Sequence, residues 1–452
     1  MRPEMPTAAA PARTTEASTN FRWVICGLLF WVTTANYIDR SVFSNLAPDL
    51  QKTIGWTQGQ YWYMTMAFQA AYAVSILIAG RFMDVLGLRW GFTIACALWG
   101  LAAMSHALAS TVTGFFIVRI LLGLGEGGNF PAAIKTTAEW FPKRERALAT
   151  GLFNSGSNVG GILVPFGLPL LLPVFAKISV GGHSLGWRGA FIFTGIFDIT
   201  WIIAWLSLYK RPEEHPRVSQ IELAHIQSEP PEPTAKIPWR RLLPHRQTWA
   251  YAVAKGLTDC FWWFYLFGAP YFFADRFGMS LKSRSLPMAA IYVLASVGSI
   301  GGGWLSGHFM GLGWTVNKAR KITLLIFAAL VTPVVFATIT HAAWVAVALI
   351  ALAATAHQAW SANVFSLASD MFPRRVVGSV TGLGGMAGAI GGMTLFALTG
   401  VIRDRAIARG EPGDYVPIFL AASLAYVVAL LIVHLIVPGL EPAQVEEKPA
   451  TT

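Results

Sequence analysis

The sequence predicts an all-α membrane protein of twelve transmembrane helices in two pseudo-symmetric six-helix bundles, with both termini cytoplasmic. Three observations carry that expectation. Of the 452 residues, 54% are apolar and only 13% charged, against about 25% charge in an ordinary soluble domain, and mean hydropathy is +0.52. Apolar runs of about 20 residues, enough to cross a ~30 Å hydrocarbon core, recur from end to end. Finally, the two halves repeat one another around a single polar interruption.

In chain order, residues 1–20 are rich in Ala, Pro and Thr and read as a disordered cytoplasmic tail. The next stretch, Arg22 followed by Trp23–Val32 and the small residues Thr33-Thr34-Ala35, imitates a cleavable signal peptide. Cleavage there would leave an odd number of spans, so it is read as the start of the first helix. Spans are expected near residues 22–43, 60–80, 91–110, 113–134, 147–172 and 188–209, forming a first bundle over 21–209. Residues 210–247 are the polar interruption, with Pro212, Pro216, Pro230, Pro231, Pro233, Pro238 and Pro244 among many charges. They read as a cytoplasmic linker. A second bundle over 248–438 holds spans near 248–272, 287–310, 320–340, 342–365, 376–400 and 415–437, followed by a cytoplasmic tail over 439–452.

The repeat is visible without gaps. WFPKRERALATGLFNSGSNVGGI at 140–162 aligns with MFPRRVVGSVTGLGGMAGAIGGM at 371–393, pairing Gly151 with Gly382, Gly160 with Gly391 and Gly161 with Gly392. Parallel halves of this kind are built by transporters, with a site near the midplane between them. Gly on a membrane helix face lets two backbones approach closely, for static packing or for sliding.

The net charge of +11 would point to nucleic acid in a soluble protein. Here the Lys and Arg concentrate in segments on one side, including Lys143, Arg144, Arg146, Lys210, Arg211, Arg240, Arg241, Lys318, Arg320, Lys321, Arg374 and Arg375. That is the positive-inside bias, and no nucleic-acid partner is expected. The three cysteines, Cys26, Cys96 and Cys260, lie far apart in apolar spans and suggest neither a disulfide framework nor a metal site. GLGEGG at 123–128 matches the dinucleotide pattern but follows no strand and lies inside an apolar span. No phosphate loop of the GxxxxGK[ST] type is present, and neither cofactor nor metal is expected.

Charges inside spans carry the functional reading. The first span ends in Asn36-Tyr37-Ile38-Asp39-Arg40, and each such charge costs about 2.5–3.5 kcal/mol at mid-bilayer unless it faces the bundle interior and is paired or functional. An Asp39–Arg40 or interhelical ion pair that only sets packing is the competing reading. In the fourth span, Arg119 and Glu126 are seven residues apart, which at 100° per residue leaves them within about 20° of one face. A cation two turns from a protonatable acid suits coupled anion transport: Arg grips a carboxylate in two places while Glu carries a proton.

Weaker candidates are Asn154, Ser157 and Asn158 on one face of the fifth span, and His357, Trp360 and Ser361 on one face of the tenth, with Gln358 and Asn363 nearby. Each is as readily interhelical glue as a sugar-hydroxyl ligand. Tyr72 and Trp360 suit the apolar face of a sugar ring. In the seventh span Lys255 and Asp259 stand at i, i+4 and can neutralise one another. Lys135 is placed to snorkel at the cytoplasmic end of the fourth span.

These residues resemble the major facilitator superfamily. The loop Gly80-Arg81-Phe82-Met83-Asp84-Val85-Leu86-Gly87-Leu88-Arg89 is similar to its G-x-x-x-D-R-x-G-R-[RK] signature, with Val85 where a basic residue is usual, and the resemblance implies a cytoplasmic gate carried by Gly80, Asp84, Gly87 and Arg89. More narrowly, NYIDRS, RILLGLGEGGNFPAAIKTTAEWFPKRERALATG, GWRGAFI at 186–192 and HQAWSAN at 357–363 resemble the anion:cation symporter family and its hexuronate-transporter-like members. Cys260 stands where similar transporters often have Pro.

The resemblance implies a multi-pass protein of the inner or plasma membrane, a monomer, that takes up a small sugar acid such as glucuronate or galacturonate with protons. Arg40, Tyr72 and Arg119, with Tyr37 beside them, would contact substrate, Asp39 and Glu126 would be the proton-linked acids, and Trp360 would line the site from the second half. The alternatives are an aldonate or aldarate symporter, or an anion exchanger using the same Arg119. An enzyme using Asp39, Glu126 and His357 is disfavoured because no activated nucleophile or metal cluster is visible, and a non-transporting sensor because no signalling domain is appended.

Overall fold

A computed structural model describes residues 19–228, 239–372, 374–411 and 414–444. Most of the expected N-terminal tail, residues 229–238 of the linker and the last residues of the C-terminal tail lie outside the described residues. The helices are α1 (Phe21–Ile54), α2 (Gln58–Ser105), α3 (Val112–Glu126), α4 (Asn129–Trp140), α5 (Lys143–Lys177), α6 (Gly186–Leu208), α7 (Gln220–Ile226), α8 (Arg246–Phe277), α9 (Leu281–Gly311), α10 (Val316–Val331), α11 (Ala343–Met371), α12 (Arg374–Ala408) and α13 (Val416–Ile436). Among the described residues, nine helices are long and apolar enough to cross a membrane by length and composition.

Each of the twelve expected spans overlaps a helix, the ninth closing in a 3₁₀ stretch over Thr332–Thr338, and two further departures concern the second to fourth spans. The second and third spans form the single run α2, opened by a capping box in which Thr57 and Gln60 satisfy each other's backbone N–H groups. It breaks at Gly87, whose φ of 73° lies in the left-handed region that favours glycine. The fourth span, expected as one helix, divides into α3 and α4 at Gly127-Gly128. Pro131 has no N–H to give the Gly127 carbonyl, and two glycines before it make the break inexpensive. Glu126 therefore closes a helix inside the bundle. A two-residue hairpin, Ser179–Val180 with His183–Ser184, is an addition to the all-α expectation; Gly181 and Gly182, both at positive φ, make its turn.

The sequence repeat is also a packing repeat. A Cβ on Gly160 of α5 would stand 2.7 Å from the Thr34 carbonyl oxygen of α1, and one on Gly391 of α12 would overlap the Gly256 carbonyl of α8. One residue later, Gly161 faces Tyr292 of α9 in the other bundle, and Gly392 lies against both Trp263 of α8 and Gln69 of α2. The glycines thus let α5 and α12 press against the first helix of their own bundle while flanking the interface.

The bundles are latched at the end away from the linker. There Gly59 N–H donates to Asp404 Oδ1 (2.8 Å), Arg403 Nε to Gln58 Oε1 (2.9 Å) and Arg284 to Asp49 Oδ2 (3.1 Å). Tyr61 adds its hydroxyl to the Phe267 carbonyl at 2.7 Å. At the linker end, the first part of the linker packs on the first bundle. Glu222 of α7 accepts the backbone N–H groups of Phe21 and Arg22, each at 3.0 Å, supplying the N-terminal cap that Asn20 does not. The His215 ring lies tilted against the Phe21 ring, their centres 4.2 Å apart.

Candidate functional site

Two helices of the first bundle, α1 and α3, bring Arg40, Arg119 and Glu126 together, all fully buried. Arg40 of α1 donates its Nε to Glu126 Oε2 at the end of α3. Asp39 takes no part in that pair; of the two pairings the sequence left open, Asp39–Arg40 and an interhelical one, the structure has the interhelical one. Consecutive helix residues point about 100° apart, and Asp39 faces α6 while Arg40 faces α3. The pairing of Arg119 and Glu126 on one face holds in a modified form: Glu126 bonds Arg40, and Arg119 lies a step along the same cluster.

The guanidinium groups rest on aromatic rings. Arg119 lies 4.2 Å from the centre of Phe68, 4.7 Å from Phe43 and 5.7 Å from Phe267. Arg40 lies 4.4 Å from Tyr72, 5.1 Å from Tyr37 and 5.4 Å from both Phe68 and Trp263. Phe68 therefore sits between two cations. Phe267 and Trp263 come from α8, so the second bundle contributes a wall to a site whose charges belong to the first.

Hydrogen bonding is incomplete at these charges. Nη1 and Nη2 of Arg40 and all three nitrogens of Arg119 have no partner, nor does Glu126 Oε1. A buried guanidinium with open donors is costly unless something satisfies it, and its planar fork matches a carboxylate in two bonds. The arrangement presents open guanidinium donors, suited to an anion, among aromatic rings from both bundles.

The remaining candidates are dispersed. Trp360 gives its indole N–H to Thr258 Oγ1 at 3.1 Å, and His357 Nδ1 hydrogen-bonds the Tyr426 hydroxyl at 2.7 Å while stacking on Trp262. Both sit inside the second bundle. Asn363 binds the carbonyls of Gly302 and Ala359 at 2.8 and 2.9 Å, joining α11 to α9. Gln358 is half-buried on α11. On α5, Asn154 is exposed and its carbonyl accepts from Ser157 Oγ at 2.7 Å. Lys255 and Asp259 form the expected i, i+4 pair at 2.6 Å. The cysteines are free and buried.

At the linker end Asp84 pairs with Lys135, so Lys135 bonds an acid beyond simple snorkelling. Gly80 lies on α2 one turn before Asp84, Gly87 makes the helix break, and Arg89 donates to the Leu206 carbonyl at 2.8 Å. A surface cavity of about 890 Å³ opens there, lined by Asp84, Arg89, Lys135 and Arg211 among others. It is separate from the buried arginines.

Phe43, Phe68, Trp263, Phe267 and Asp198 were not singled out from the sequence. Phe68 stands four residues before Tyr72 and so shares its face, a usable signal. Trp263 and Phe267 lie in an aromatic run, Phe261–Phe267, that offers every face at once. Asp198 is a lone acid in the sixth span, the same signal that marked Asp39.

The Major Facilitator Superfamily matches residues 29–396 of the chain. The chain is 30% identical over 434 residues to the hexuronate transporter of Escherichia coli strain K12, covering 94% of this chain and 96% of that protein. It is 30% identical over 316 residues to the galacturonate transporter of Dickeya chrysanthemi, covering 69% and 86%. In three dimensions it resembles a bacterial homolog of the human lysosomal transporter Spinster, in an inward-facing and occupied conformation, with a TM-score of 0.73 at 18% identity over 96% of this chain and 100% of the other.

Proposed function

The chain belongs to the Major Facilitator Superfamily and is a multi-pass membrane transporter, not an enzyme; from that premise we propose that it takes up a sugar acid such as a hexuronate with protons by alternating access. Its place in this reading is the plasma membrane, with the linker end cytoplasmic. The observation that carries it is the set of open guanidinium nitrogens on Arg40 and Arg119 beside a carboxylate that occupies only part of Arg40.

The substrate carboxylate takes the fork of Arg119, and the sugar ring lies against the aromatic walls. Glu126 competes with that carboxylate for Arg40. A proton on Glu126 cancels its hold on Arg40 and frees the cation for substrate, so proton and anion each favour binding of the other. Asp39 is the second proton-linked acid. The bundles then rock about the site, and deprotonation on the inside restores the Arg40–Glu126 pair and expels the anion.

The test is purified protein in liposomes under an inward-acid gradient, with labelled glucuronate and galacturonate. Accumulation is expected to collapse on adding a protonophore; uptake indifferent to it removes proton coupling, and pH-independent counterflow identifies an exchanger. Glu126→Gln is expected to abolish gradient-driven accumulation while sparing exchange. Full accumulation by that variant removes Glu126 from the coupling step.

A further inference from the structure

Besides Arg40 and Glu126, the first bundle buries a second pair of charged side chains. Asp39 of α1 and Asp198 of α6 are 3% and 0% exposed, and their carboxyl groups face one another within hydrogen-bond reach. The chain makes room for this contact at Gly100 of α2, where a Cβ would stand 3.0 Å from Asp198 Cβ and 3.1 Å from Oδ2.

None of the four carboxyl oxygens has a hydrogen-bond donor. Two neutral donors stand beside them, Thr194 next to Asp39 and the Trp99 indole next to Asp198, but Thr194 Oγ1 gives its hydrogen to the Phe191 carbonyl at 3.2 Å and the Trp99 N–H completes no hydrogen bond. The neighbouring cation, Arg40, is turned to Glu126. Other titratable groups facing the pair are Cys96 on α2 and Glu126 on α3. None of them is a cation bonded to either aspartate.

Two carboxylates in contact, away from water and without a donor, do not both ionise, because each destabilises the other's charge. A single proton between them supplies the missing donor, one O–H bonded to the facing oxygen. It also balances the cluster: three carboxyls (Asp39, Asp198, Glu126) stand against two guanidinium groups (Arg40, Arg119), and one retained proton makes the whole buried set neutral.

We propose that Asp39 and Asp198 form a carboxyl pair that holds one proton between them, with Asp198 as the positioning residue that sets when Asp39 gains and loses it. This deepens the transport reading above and rests on it for the role of Asp39; the shared proton itself can be read without transport. On substrate entry the proton stays on the pair, and on inside release it passes from Asp39 to water.

The experiment is infrared difference spectroscopy on purified protein in lipid, with carboxyl-labelled aspartate, alongside liposome uptake across a pH series. Wild-type protein at neutral pH is expected to show a protonated-aspartate carbonyl band that Asp198→Asn removes. In uptake, Asp198→Asn replaces a like charge by an amide donor, which favours ionised Asp39, so the pH midpoint is expected to move to more acid values by about one unit or more. Asp198→Glu is expected to restore both. A wild-type spectrum without the band overturns the pair, as does an Asp198→Asn variant that transports with the wild-type midpoint. Should Asp198→Asn fail to fold, the labelled wild-type spectrum still decides. Wild-type uptake that ignores a proton gradient, with the band present, overturns the transport reading and leaves the pair standing.

Discussion

The two bundles share a packing plan and differ in how their buried charges are satisfied. In the second bundle Lys255 pairs with Asp259, Arg320 with Asp370 and Asp275 with Arg403, and His357 and Trp360 bond Tyr426 and Thr258. In the first, one of the three Arg40 side-chain nitrogens is bonded, the Arg119 side chain has no hydrogen-bond partner, and the carboxyl oxygens of Asp39 and Asp198 complete no hydrogen bond. Duplicate scaffolds have therefore been put to separate uses: one half holds unmet hydrogen-bonding capacity among α1, α3 and α6, and the other supplies Trp263 and Phe267 as a wall and hydrogen bonds that latch the far end. Unmet capacity in a buried charge is tolerable where a ligand or proton is to complete it.

The largest test of this asymmetry is Arg119→Ala. With the fork gone, uptake is expected to fall on the order of 100-fold or more, equivalent to about 3 kcal/mol for a charge-assisted contact. Arg119→Lys is expected to recover little, since a point charge does not reproduce two parallel bonds. Transport within a few fold of wild type in either variant would move the anion site away from the first bundle.

Much of this was legible beforehand because a membrane punishes exceptions. A charge in an apolar span stands out, so Asp39, Arg40, Arg119 and Glu126 were visible, and the glycine register exposed the repeat. What pairs with what was not visible. Helix periodicity put Arg119 and Glu126 on one face, but the choice of Arg40 as the partner of Glu126 depends on how α1 crosses α3, and nothing local encodes that. The break at Gly127-Gly128 was readable from Pro131 and was overridden by the continuous apolar pattern. Polar residues such as Asn363 and His357 carry the same letters whether they bind a neighbour helix or a solute, and only the packed structure separates these uses.

The packing half of the comparison is tested by Gly160→Ala and Gly391→Ala. Each added methyl meets a backbone carbonyl on the partner helix, and overpacking of this kind costs about 1–3 kcal/mol. Thermal unfolding in detergent is expected to fall for both, further for Gly391, where the approach is closer. A loss at one site with none at the other would show that the repeat does not extend to the helix contacts.

A smaller effect falls at the linker end of the first bundle. Burial alone would raise the Glu222 carboxyl, but hydrogen bonds from Thr19, from the Arg22 and Phe21 backbone and from the Arg22 side chain outweigh it and hold the group below its ordinary value of 4.5. The folded state thus favours ionised Glu222. Its contribution is fully present above that ordinary value and is lost as pH falls through the lower, folded one. Hydrogen exchange at Phe21 and Arg22 is expected to be slow at neutral pH and to quicken below about pH 4.5, while Glu222→Gln exchanges faster at neutral pH and loses the acid dependence. Unchanged protection in that variant would mean that the linker does not cap α1.

The smallest effect on transport is expected from removing a whole ion pair in the second bundle, and it is the one that most directly sharpens the contrast. Lys255 and Asp259 pair at 2.6 Å, so the charge of each is offset by the other. Removing one partner strands a buried charge, and Lys255→Met alone is expected to destabilise by about 3–5 kcal/mol. Replacing both, as Lys255→Met with Asp259→Leu, removes the attraction and the desolvation cost together and is expected to be close to neutral in stability. Uptake by the double variant should then stay within about threefold of wild type, a change of less than 1 kcal/mol. A stable double variant that has lost transport would place a functional cation in the second bundle and end the division of labour between the halves.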